Sequence, residues 1–124
     1  MRQRTRDRGQ ATVELALILP VVVIVLLVAL QILVVMRDQV ALGGAARAAA
    51  RRAIVEPDSG RALEAARSVA RLDPSRLAVS VGGTPRRGEQ VTVLVTYVSV
   101  TDVAVVGRFT PDITLTERFV VIVE

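Results

Sequence analysis

The chain has 124 residues, no Cys and no His, which makes it one small unit and excludes thiol chemistry, disulfides and imidazole acid–base or metal sites. Its formal net charge of +4 is not a nucleic-acid signal, because most of the excess comes from Arg2, Arg4, Arg6 and Arg8 against the single Asp7, and the remainder is nearly balanced. With only Tyr97, Phe109 and Phe119 as aromatics, base stacking has little to work with, and no nucleic-acid partner is expected.

Residues 1–9 alternate arginine with polar residues and hold nothing apolar after Met1. They read as a solvated, disordered basic leader. Beside an apolar run, such charge keeps the N-terminus in the cytoplasm and sends the C-terminus across the membrane.

Residues 15–36 carry no charge and are interrupted only by Pro20 and Gln31. At about 1.5 Å per residue a helix over this run spans roughly 33 Å, enough for a hydrocarbon core of about 30 Å. It shows no polar face, as a soluble helix would, so the run is predicted to be a transmembrane segment inside a long helix over 10–55. Pro20 cannot donate to the carbonyl of Ala16 and is expected to kink or loosen the helix there.

Beyond Arg37-Asp38 the helix is expected to continue outside the membrane. Ala41, Ala45, Ala49 and Ala53 recur every fourth residue and form a smooth face, suited to close packing against a sheet or a neighbouring helix. Arg47 and Arg51 share another face, and Gly43-Gly44 is a place where the helix can bend.

Residues 56–124 read as a small extracytoplasmic α+β domain. About 70 residues are marginal for an independent core, so this part is expected to lean on the C-terminal half of the long helix. Asp58 or Ser59 can cap a short second helix over 61–72, with Leu63, Ala66, Val69 and Ala70 inward. Asp73-Pro74-Ser75 stops it. Alternation at Leu77, Val79 and Val81, a Gly/Pro-rich loop over 82–88, and Val91, Val93, Val95 and Tyr97 on one face predict a hairpin with a long loop. A looser connection over 101–111 leads to a last strand over 113–123. Ile113, Leu115, Phe119 and Val121 share one of its faces, with Glu117 a polar exception. The fold class is therefore α+β: a long transmembrane helix, a short second helix and a three-stranded antiparallel sheet.

Gly9, followed after four residues by Glu14 and then by uninterrupted apolar sequence, all behind a short basic leader, resembles the class III signal of type IV pilins. The stretch Gly9-Gln10-Ala11-Thr12-Val13-Glu14-Leu15-Ala16-Leu17-Ile18-Leu19-Pro20, with Gly43-Gly44-Ala45-Ala46-Arg47-Ala48-Ala49-Ala50-Arg51 downstream, is similar to TadE-like pseudopilins of the tight-adherence (Flp pilus) systems. The resemblance implies a type IV pilin-like fold. It implies cleavage by a prepilin peptidase on the cytoplasmic side between Gly9 and Gln10, and an assembly role for Glu14, which pairs with the new terminal amine of a neighbouring subunit. It further implies, as partners, the peptidase, other pilin-like subunits and the inner-membrane platform of a pilus or related secretion apparatus. One departure from the pilin pattern is that Leu15 and Ala16, not an aromatic, follow the glutamate.

The resemblance implies no enzymatic activity and no cofactor. Without His or Cys a catalytic site would rest on carboxylates or serines, and Ser68, Ser75, Ser80 and Ser99 stand in no nucleophile motif. The alternative is an uncleaved signal-anchored protein whose outer domain binds a partner. A secretory signal peptide cut near Ala46-Arg47-Ala48 fits poorly, because the apolar core is too long and the small-residue site too far downstream.

Overall fold

The computed structural model describes residues 4–101 and 106–124; the leader's first three residues and 102–105 of the predicted connection lie outside the described residues. The first helix, α1, is Arg4–Val55, 52 residues and roughly 78 Å long at 1.5 Å per residue. It starts within the leader rather than after it, a correction to the expectation of disorder over 1–9. Arginine and glutamine are good helix formers and no proline intervenes before Pro20, so the poorest former near this end is Gly9, at about 1 kcal/mol relative to alanine. The helix is continuous through Pro20 and through Gly43-Gly44.

The second helix, α2, is Ser59–Val69. The Asp58 carboxylate accepts from the Arg61 amide at 2.9 Å, which satisfies an otherwise orphaned donor of the first turn. The helix ends three residues before the predicted Leu72, with Ala70 in extended conformation as its cap. Ala62 and Ala66 are its buried residues, flanked by the partly buried Leu63 and Ala70. Val69, predicted to point inward, is instead 57% exposed, because it lies in the last turn at the rim beside Val40 and Ala41 of α1.

Three strands follow: β1 Leu77–Gly83, β2 Gln90–Ser99 and β3 Ile113–Ile122. They form an antiparallel meander with β2 in the centre. Val93 stands opposite Val81 and Phe119, and Tyr97 opposite Leu77 and Leu115. Val91, Val93, Val95, Tyr97 and Ser99 of β2 are all buried, as strict alternation over a half-covered sheet requires.

The sheet and α2 pack on the C-terminal half of α1. The core joins Leu42, Ala45, Ala46, Ala49 and Ala53 of α1 to Ala62 and Ala66 of α2 and to the inward valines of the sheet. Ala45, Ala49 and Ala53 are wholly buried and Ala41 packs at the edge, so the predicted alanine face is the seam on which the domain closes. Without side chains longer than a methyl group, the two helices can approach closely enough for the short α2 to contribute to a core that some 70 residues could not build alone. The end of β3 is tied back to the same helix: the Glu124 amide donates to the Ile54 carbonyl at 3.1 Å.

Candidate functional site

Upstream of the domain, α1 is a bare arm. Residues 9–26 are all exposed, and the large apolar side chains from Val13 to Leu30 include Leu17 at 70% exposed. Such a surface cannot stay in water. It is long and apolar enough to cross a membrane, and almost none of its apolar stretch is covered by the rest of the chain, as the core helix of a soluble protein would be. The chain is a single-pass membrane anchor with its domain at one end of the span.

Gly9, Gln10 and Glu14 lie at the far end of this arm and all three are exposed. A Cβ built on Gly9 meets nothing within 4 Å, so no packing within the described residues demands glycine there. The Gly9–Gln10 peptide bond is helical. Five residues along a helix put Gly9 and Glu14 about 7.5 Å apart along the axis and about 140° apart around it, so the helix does not bring them together into one site. Glu14 sits between Val13, 60% exposed, and Leu15, 64% exposed, at the boundary where charge gives way to the apolar run. Among the described residues no side chain forms an ion pair with it. Pro20 lies six residues, about one and two-thirds turns, beyond Glu14 and within the exposed arm.

A row of polar side chains fixes the arm to the domain, and sequence reasoning did not single it out. The Gln31 amide nitrogen donates to the Thr101 hydroxyl at 3.4 Å, and both residues are buried. One heptad further, Asp38 is 3% exposed; it accepts from the Ser99 hydroxyl at 2.7 Å and pairs with Arg37 at 3.0 Å. Gln39 donates to Glu117 at 2.6 Å, which explains the one carboxylate on the inward face of β3. The seven-residue step from Gln31 to Asp38 was the available signal, since two turns of helix put both on one face. Its position at the end of the apolar run disguised it as a membrane boundary.

Arg47 and Arg51 remain exposed over a shallow groove with Ile54, Phe119 and Val121. Arg86 and Arg87 are exposed at the hairpin turn. Among the described residues no three Asp, Glu, His or Cys gather closely enough to hold a metal ion.

Neither the curated proteins nor the solved structures offer a match to this chain. A family model does match, over residues 9–51: it begins on Gly9, takes in Glu14 and the whole apolar arm, and ends among the alanines of the seam. Over that stretch, about a third of its length, the chain is similar to the family described as TadE-like protein.

Proposed function

We propose that the chain is a minor pilin-like subunit of a tight-adherence pilus or a related secretion apparatus, and that a prepilin peptidase cuts it between Gly9 and Gln10. The observation that carries this reading is the bare arm. An apolar helix of about 20 residues bears a glycine without a packing role and an exposed glutamate at its far end, and it projects from a small domain that closes on its other half. The arm crosses the cytoplasmic membrane with its N-terminus in the cytoplasm and its domain outside. Removing the basic leader removes the charge that opposes deeper burial and creates a terminal amine at Gln10. A neighbouring subunit's amine can then pair with Glu14, whose burial among apolar helices would otherwise cost several kcal/mol. In this reading the carboxylate sets the register of subunits in a bundle, and the protein is structural rather than catalytic.

The helical Gly9–Gln10 bond is the one observation that favours the alternative, an uncleaved signal anchor with a partner-binding domain, because a peptidase needs that bond extended. Two substitutions separate the readings. Gly9→Arg should abolish processing in cells that carry the peptidase. Glu14→Ala should leave the membrane level of the protein intact while pilus assembly fails. Wild-type processing and assembly in both variants would exclude the pilin-like role.

A further inference from the structure

The domain reaches further down α1 than a 30 Å span allows. Counting about 20 residues of hydrocarbon core from Leu15, the first residue after Glu14, puts the boundary on the domain's side near Val34-Val35. Yet Thr110 and Ile113 of the domain line a groove with Val28, Ile32, Val35 and Met36 of α1. They are held there by a chain of hydrogen bonds. Gln31 donates to Thr101 at 3.4 Å, the Thr101 hydroxyl donates to the Pro111 carbonyl at 3.3 Å, and the Thr101 amide donates to Asp112 at 3.2 Å. Gln31 lies four residues, about 6 Å, on the membrane side of that boundary. Sliding the helix until Val28 reached the boundary would start the span near Gly9 and draw the Glu14 carboxylate into the hydrocarbon, which strongly opposes the slide.

The turn beside this groove places an exposed aromatic and an exposed cation side by side, with the exposed carboxylate of Asp112 further along. Phe109 is 83% exposed, the highest value among the exposed large hydrophobic residues described, and Arg108 next to it is also exposed. An aromatic ring at the acyl–headgroup boundary with a cation reaching phosphate is a stable arrangement in that layer. The groove, with Gln31 and Thr110 as its polar lining, opens onto the arm's own lipid-facing surface at Val28 and Ile32.

We infer that the turn 107–113 is seated in the leaflet on the domain's side, with Phe109 among the upper acyl chains and Arg108 at the phospholipid headgroups, so that the domain is pinned to the membrane surface and does not swing freely on its helix. The inference rests on the single-pass membrane reading, not on cleavage or on the direction of insertion.

The chain contains no Trp, so single-tryptophan variants give unambiguous reporters. Phe109→Trp, Ile24→Trp and Thr84→Trp would be made in the full chain and reconstituted in phosphatidylcholine vesicles containing phosphatidylglycerol. Quenching would be compared between lipids brominated near the headgroup end and near the methyl end of the acyl chain. Ile24→Trp reports insertion of the arm. Thr84→Trp reports the hairpin turn, which β2 places about 27 Å from Ser99 at the membrane end of the sheet. The expected result is strong quenching of Phe109→Trp by the headgroup-end bromines, weaker quenching by the methyl-end bromines, and none of Thr84→Trp. An unquenched Phe109→Trp beside a quenched Ile24→Trp overturns the inference; a blue-shifted emission in that case would assign the turn to a second copy of the chain. An unquenched Ile24→Trp overturns the membrane reading and this inference with it.

Discussion

Ser99, the last residue of β2, donates its hydroxyl to the carboxylate of Asp38 in α1 at 2.7 Å, with both residues buried. This contact fixes where along the helix the sheet sits, because a slide of one turn would strand a buried carboxylate. Asp38→Ala is expected to destabilise the domain by about 2–3 kcal/mol, since it removes a charge-assisted hydrogen bond and leaves the Ser99 hydroxyl unpaired. Amide hydrogen exchange of the β2 strand in detergent micelles measures the loss. Ser99→Ala in the Asp38→Ala background should add little, as expected of two side chains in direct contact.

The alanine seam gives a prediction of the opposite kind, too much volume rather than too little. Ala49 is wholly buried within a core that also contains Ala45, Ala53, Ala62 and Ala66. Ala49→Leu is expected to cost about 1–3 kcal/mol by overpacking and to loosen α2 first. Proteolysis in the segment joining α1 to α2 would report it. Ala48→Leu, on a partly exposed position of the same turn, should cost less.

At the hairpin, Gly83 has φ +119°, and a Cβ there would lie 2.9 Å from the Gln90 carbonyl oxygen and 3.2 Å from the Val91 Cα. Gly83→Ala therefore meets both backbone strain and a clash with backbone that cannot give way, with an expected cost of about 2 kcal/mol or more. Gly82→Ala, one residue earlier with nothing within 4 Å, should be close to neutral. Thermal unfolding of the two variants side by side checks the contrast.

Asp73 supplies a pH-dependent test. Its carboxylate accepts from the Ser75 hydroxyl at 2.6 Å and the Ser75 amide at 2.9 Å, and these bonds, with a smaller contribution from Arg76, hold its pKa below the ordinary 3.8. A depressed native pKa means that the group's stabilising contribution is complete above the unfolded value and is lost as pH falls from 3.8 through the lower native value. A carboxyl titration by NMR should give a midpoint below 3.8, and Ser75→Ala should move it up. A midpoint at or above 3.8 in the wild-type chain would contradict the geometry.

The elements dominated by one physical signal were legible in the sequence. The apolar run, the alanine recurrence and the Val-Thr alternation each specify an environment by pattern alone, and Asp58-Ser59 marked the start of a helix without deciding which of the two caps it. Residues whose meaning depends on partners distant in sequence were not legible. Glu117 looked like an error on an apolar face until Gln39, 78 residues away, proved to meet it. Asp38 and Ser99 are 61 residues apart, and nothing local to either reveals the other. Phe109 passed as a loop residue, because its interest lies in the level on α1 to which Thr101 and Gln31 hold its turn. The site motif itself is legible only as spacing: Gly9 and Glu14 fall on different faces of the helix, and the fold adds no contact between them.

The central claim is that the arm is processed at Gly9. Its most direct test is to express the full chain with a C-terminal tag beside its host's prepilin peptidase and to measure the intact mass and N-terminus of the membrane-bound product. The account predicts a protein that begins at Gln10. A product that still carries Arg2–Gly9 while the peptidase cleaves a control substrate in the same cells would contradict it and leave the uncleaved membrane anchor as the better reading.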